Sequence, residues 1–165
     1  MIPDAGKENS ELADRVQALI LSCSTITLAT CSGASAWAAP VYYFYQRSGF
    51  YFFSSPESRH VTDAVATGEA AGSIHAAGIG WKDIRGIQMN GSIKKIVSPV
   101  EAARAISGYL KKFPFTGDFF SDSKADLDGF FGRFGVRLYC FRPRLVIYCD
   151  NSIRFGYRAE IDLPA

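Results

Sequence analysis

Between residues 25 and 54 the chain reads TITLATCSGASAWAAPVYYFYQRSGFYFFS. Runs of β-branched and aromatic residues are separated by SGAS and QRSG, and such runs fit a pleated, half-buried surface. Turns this short hold consecutive strands antiparallel. The stretch therefore predicts a three-stranded meander, the start of an antiparallel barrel or sandwich. Pro40 has no N–H to give a ladder, so it marks an edge or a bulge in the second strand.

Helices flank this core. SELADRVQALILS puts Leu12, Val16, Leu19 and Ile20 on one face, with Ser10 expected as the N-cap and residues 1–9 as a flexible lead-in. The stretch from Ser58 predicts a helix of about three turns closed by Gly68. SPVEAARAISGYLKKF is capped by Ser98, with Pro99 in the first turn, Glu101 completing a capping box, and Lys111 and Lys112 in the last turn. AAGSIHA is expected as a fourth strand and IRGIQMNGSIKKIV as a long fifth, with Gly86 and Gly91 marking bulges or close approaches. Residues 114–135 look like loops with aromatic anchors. VRLYCF and LVIYCD read as two strands separated by RPR, and the tail as a possible last one. No linker divides the 165 residues, so a single domain over 1–165 is expected.

Composition narrows the function. A net charge of +2 with no long basic run gives no support to a nucleic-acid partner, so any anion must be held locally. Cys23, Cys31, Cys140 and Cys149 form no CxxC and no zinc-spaced pattern, which fits reduced thiols. The polar N-terminus looks like no signal peptide, and no apolar run approaches the ~20 residues needed to cross a bilayer, so a cytoplasmic protein is expected. Two histidines exclude a multi-histidine metal site, and His75 is expected as structural rather than a haem ligand. Asp118, Asp122, Asp126 and Asp128 read as a solvated face. Trp37 and Trp81 read as core or interface residues. Ser22 and Ser24 lack the His–acid pattern of a hydrolase.

The stretch FSSPESRH has two readings. Ser58 can be a plain N-cap with Arg59 and His60 solvated. Alternatively, the unpaired amides of a helix N-terminus, the Ser58 hydroxyl, the Arg59 fork and the His60 ring can together hold a phosphate.

AAPVYYFYQRSGFYFFSSPESRH resembles the core of the FMN-binding split barrels, the superfamily that includes pyridoxamine 5'-phosphate oxidase. The resemblance implies a mainly β fold with flanking helices, a six-stranded antiparallel split β-barrel. It implies that the backbone of Pro40, Val41, Tyr42 and Tyr43 passes along the flavin. It further implies that Phe53 and Ser54 lie on the phosphate side and that Ser58, Arg59 and His60 grip the phosphate. Gln88 is the candidate for the residue facing the ring, although Gly86 stands at the aligned position. LVIYCDNSIRFGYRAEI is similar to the ending of a bacterial YhbP-like subgroup, on Asp150, Asn151, Phe155, Gly156 and Arg158. Superfamily members usually form two-fold dimers with the flavins at the interface, and segment 113–135 would help form that interface or a lid.

The departures matter too. Ala38 and Tyr43 replace basic residues of the oxidase, His60 replaces a lysine, and its C-terminal substrate-binding Arg and His have no match. Oxidase activity on pyridoxamine phosphate is not expected. The expectation is a homodimeric FMN protein moving hydride through its flavin. The alternative is a non-catalytic barrel that stores or senses flavin or haem, or has lost its flavin.

Overall fold

The computed structural model describes residues 5–119, Gly132 and residues 134–163. Helix α1 spans Ala5–Ser22. Strands β1 (Thr25–Ser32), β2 (Ser35–Tyr42), β3 (Phe44–Gln46) and β4 (Gly49–Ser54) follow, then α2 (Arg59–Thr67). Strand β5 is Ala70–His75, β6 is Arg85–Lys95, α3 is Pro99–Lys112, β7 is Arg137–Asp150 and β8 is Arg158–Glu160.

All pairings are antiparallel, in the order β2-β1-β5-β6-β7-β4-β3, and β8 adds to β7 off this path. The sheet is therefore an open barrel of seven strands in series plus an eighth, not six. Three local features account for the difference. The run AWAAPVYYFY is not one strand but β2 and β3, because the chain turns a corner at Tyr43 from the β1 partner to the β4 partner. There the backbone N–H of Tyr43 donates to Ser24 O at 3.2 Å. RPR does not divide the last hairpin: β7 runs unbroken for 14 residues. Its pairing with β6 shifts register between Asn90 and Gly91, so Pro143 sits at a bulge, where proline is tolerated in a ladder. The tail contributes the short β8. Helix α1 also begins earlier than Ser10, which lies inside it rather than at its cap.

Strand alternation divides the interior in two. Ile26, Leu28, Phe50, Phe52, Ile74, Ile87, Tyr139, Phe141 and Tyr148 point into the barrel, closed by Val16, Leu19 and Ile20 of α1 and Val61 and Ala64 of α2. The opposite face of β4 and β7 presents Tyr51, Leu138 and Cys140 to Ala105 and Ile106 of α3. The two glycines of β6 are close approaches, as expected. A Cβ on Gly86 would stand 2.7 Å from Ile74 O, and one on Gly91 2.2 Å from Arg142 O. Ser98 caps α3 by accepting from the Glu101 N–H at 3.4 Å. Lys112, in the last turn, donates to Cys23 O at 2.7 Å and lies 3.9 Å from the centre of the Tyr43 ring.

Candidate functional site

Strand β4 ends at Ser54, and a tight turn lifts the chain into α2. The Ser58 N–H donates to Ser55 O at 3.1 Å and fixes that turn. Ser58 occupies the N-cap position, extended at φ −64° and ψ 139°, but its hydroxyl makes no capping bond. It donates instead to Ser55 O at 2.7 Å. Its carbonyl accepts from Val61 N–H and Thr62 N–H, while Arg59 and His60, first in the helix, have no intrahelical acceptor for theirs. Gly68 ends α2 in the left-handed conformation at φ 74°, its N–H donating to Ala64 O at 2.9 Å.

Three side chains converge on this turn. Ser54 Oγ lies 2.8 Å from Ser58 Oγ and 2.9 Å from His60 Nε2. With the Ser58 proton committed to Ser55 O, every proton finds an acceptor if Ser54 donates to Ser58 and His60 Nε2–H donates to Ser54. That places the neutral imidazole's proton on Nε2. Burial pushes the His60 pKa below its ordinary value, so the ring brings a dipole to this corner and no positive charge at neutral pH.

Arg59 supplies the charge. Its Nη2 donates to Ser35 O at 3.0 Å and to Ser35 Oγ at 2.6 Å, and the guanidinium carbon lies 4.9 Å from the Trp37 ring centre. Its Nε donates to Asp63 Oδ2 at 3.4 Å, an oxygen that also accepts from Thr30 Oγ1 at 3.3 Å. Asp63 is buried. The guanidinium is thus held in place between β2 and α2, with Nη1 free of any acceptor among the described residues.

Of the other residues expected at the site, Pro40 and Gln88 share one surface. Strand pairing sets Pro40 beside Thr27, Thr27 beside Ser73, and Ser73 beside Gln88. This row crosses four strands, about 14 Å at ~4.8 Å per strand, on the sheet's outer face. The adjacent row, Ala38, Ala29, Ala71 and Asn90, is also small. The two rows make a flat floor, and both Pro40 and Gln88 are exposed. Arg59 meets β2 at Ser35 and Trp37, which alternate to the other face, so the edge strand β2 is the element shared by the floor and the cation.

The side chains of the remaining candidates point elsewhere, whereas the role expected of Val41, Tyr42 and Tyr43 belongs to their backbone. Tyr42 is half-exposed and packs edge-on against Phe113 and Phe115. Val41 packs against the barrel core. Tyr43 is fully buried and its hydroxyl donates to Ile20 O at 2.6 Å, which makes it the anchor of the β2–β3 corner. Phe53 alternates to the face opposite Ser54 and packs against Tyr109 of α3. Trp37, Trp81 and His75 are exposed. His75 lines a cleft of about 490 Å³ with Gly78, Gly80, Asp83 and Arg85. Asp122, Asp126, Asp128 and most of the expected lid segment lie outside the described residues.

Sequence reading missed Asp63, Thr30 and Ser35. The i,i+4 spacing of Arg59 and Asp63 on a helix was a usable signal. Ser35 and Thr30 become neighbours of Arg59 and Asp63 only through the strand register. Among the described residues no group of three or more His, Cys, Asp or Glu could hold a metal ion, and no helix is long and apolar enough to cross a membrane.

The open antiparallel barrel, with one helix following β4 and another laid over β4 and β7, is a split barrel of the kind seen in pyridoxamine 5'-phosphate oxidase-like proteins. This chain has that fold. Similar structures include a haem-binding protein from Mycobacterium smegmatis, with a TM-score of 0.68 and 16% identity over 90% of this chain and 56% of that one. They also include a proposed pyridoxamine 5'-phosphate oxidase from Listeria innocua (TM-score 0.63, 12% identity, 83% of this chain and 97% of that one). A FAD-binding protein from Mesorhizobium loti is a third (TM-score 0.60, 12% identity, 81% and 91%). In sequence the chain is similar to UPF0306 proteins of Cronobacter sakazakii (27% identity over 61% of this chain and 71% of the relative) and Klebsiella pneumoniae (25% over 73% and 72%). The resemblance to the YhbP-like subgroup fits these relatives. No family model matches the chain.

Proposed function

We propose that this chain is a cytoplasmic, homodimeric FMN-binding protein that transfers hydride to or from a small molecule. The observation that carries the proposal is the corner at the start of α2. Two unpaired helix amides and a guanidinium held by Ser35, Trp37 and Asp63 with one nitrogen unused stand within one turn of the Ser58 hydroxyl, which can exchange its bond to Ser55 O for one to an anion. These are the donors a phosphate monoester needs. The set fits the group in donor number and is lean in charge, because Asp63 faces Arg59 and His60 is neutral. Weakly retained flavin follows from that balance.

Ser58 and Arg59 would hold the phosphate, with Ser54 and His60 fixing the Ser58 hydroxyl. The outer-face floor around Pro40 and Gln88 would support the ring, covered by a second copy of the chain. FMN, when bound, supplies the hydride chemistry of its ring. No side chain near the corner is placed as a general acid or base, so the protein's part is to bind, orient and shield. The proposal is tested by titrating purified protein with FMN and following flavin fluorescence. Saturable binding that Arg59→Ala weakens at least tenfold, with NAD(P)H-dependent turnover of an acceptor, is the expected result. Absence of FMN binding would overturn it.

A second reading has its own support. His75 is exposed in a sizeable cleft, and proteins of this fold include the haem-binding protein from Mycobacterium smegmatis and a haem storage protein from Vibrio cholerae. A barrel that holds haem or flavin without turnover would show a Soret shift lost in His75→Ala, or FMN binding with no turnover.

A further inference from the structure

A second charged cleft, sharing no residue with the α2 corner, lies where the β3–β4 turn meets the start of α3 and the middle of β7. Its volume is about 350 Å³, and its lining includes Arg47, Arg104, Arg142, Glu101, Ser98 and Tyr51. Three guanidiniums therefore face one carboxylate. That carboxylate is already engaged: Glu101 Oε1 accepts from Arg142 Nη2 at 2.5 Å and from the Tyr51 hydroxyl at 2.9 Å. Arg142 Nη2 also reaches Tyr51 Oη at 3.3 Å, so the three side chains form one fixed cluster. Arg47 and Arg104 have no hydrogen-bond or ion-pair partner among the described residues. Two uncompensated cations thus line a concave site beside a cation that is already oriented.

The backbone beneath Arg47 adds a second observation. Gln46 pairs with Gly49, so Arg47 and Ser48 are the two central residues of the hairpin turn, with φ of 49° and 56°. Turns of this kind favour Asn-Gly, because both positions are left-handed and residues with a bulky Cβ are disfavoured there. The chain nevertheless places arginine at the first of them. Backbone strain of this kind gathers at sites where the side chain is used.

We infer that this cleft binds a small phosphate-bearing metabolite, a diphosphate or phosphate monoester, through Arg47, Arg104 and Arg142. Guanidinium forks match phosphate oxygens two at a time, and the Ser98 hydroxyl on the same rim can donate a further bond. The volume is at the lower end of small-molecule sites, which suits a compact ligand and not a polymer. The site stands independently of the FMN reading.

The experiment is calorimetric titration of the full chain with inorganic pyrophosphate, alongside citrate, for wild type, Arg104→Ala, Arg47→Asn and Arg59→Ala. Pyrophosphate is expected to bind Arg59→Ala, in which the α2 corner is disabled and the cleft is intact, and to bind at the cleft at least tenfold more weakly in Arg104→Ala and Arg47→Asn. Asparagine tolerates the left-handed turn, so Arg47→Asn should melt no lower than wild type, which separates loss of a ligand contact from loss of folding. The inference is overturned if pyrophosphate does not bind, if both cleft variants bind it unchanged, or if only Arg59→Ala loses it. Citrate binding as tightly as pyrophosphate overturns the phosphate assignment.

Discussion

Under the proposed function, Asp63 limits how strongly the α2 corner holds an anion. Its Oδ2 lies 3.4 Å from Arg59 Nε, on the side of the guanidinium away from the free Nη1. A phosphate bound at Nη1 would sit on the order of 7 Å from that carboxylate. A phosphate carrying about −1.5 charge then feels a repulsion of roughly 3.6 kcal/mol at an effective dielectric of ~20. Arg59 is partly exposed, so screening reduces this to about 1.5 kcal/mol, a factor of roughly ten in affinity. Asp63→Asn removes the charge and keeps the shape, and its amide oxygen can still accept from Thr30. FMN affinity is therefore expected to rise about tenfold. Stability is expected to fall by about 1–2 kcal/mol, because a charge-assisted contact is weakened at a buried position. Fluorescence titration measures the first effect and urea unfolding the second. An Asp63→Asn protein that is folded but binds FMN no better than wild type would refute the claim that this carboxylate limits the site.

Other perturbations separate fold from site. Gly91→Ala would drive a Cβ to 2.2 Å from Arg142 O at the register shift, breaking the β6–β7 pairing. Insoluble protein, or a loss of more than about 3 kcal/mol in urea unfolding, is expected. Tyr43→Phe deletes a buried 2.6 Å bond to Ile20 O and should cost about 1–2 kcal/mol while leaving FMN affinity unchanged. His60 has its folded pKa lowered by burial, so the native state resists its protonation. Its stability contribution is complete above the unfolded value of about 6.5 and is lost as pH falls from there through the folded pKa. Urea midpoints measured from pH 8 to 5 should fall more steeply for wild type than for His60→Gln.

The sequence was most legible where local chemistry decides the structure. The β1–β2 meander, Gly68 at the end of α2, Ser98 at the start of α3 and the tight glycines of β6 follow from turn, cap and steric rules that need only neighbouring residues. It was least legible where partners come from afar. PVYYFY alternates as one strand, and only the meeting of the two sheet ends at Tyr43 divides it. RPR reads as a break until the β6 register supplies a bulge for Pro143. At the candidate site, Ser58, Arg59 and His60 were visible as a group because they are contiguous. The β2 residues that hold Arg59 were not, since they lie 24 residues away and are brought in by the β1–β2 register. The resemblance names Tyr43 for its backbone and Phe53 for its place beside Ser54; packing adds that the Tyr43 side chain anchors the core and that the Phe53 ring lies against α3.

The difference between FMN and riboflavin affinity isolates the proposed recognition of a phosphate group at this corner. Both share the ring system; only FMN carries the phosphate. Wild type is expected to bind FMN at least 30-fold (about 2 kcal/mol) more tightly than riboflavin, and Arg59→Ala should reduce that preference to threefold or less. Equal affinity for the two flavins in wild type, or a preference that survives Arg59→Ala, would contradict phosphate recognition by Arg59.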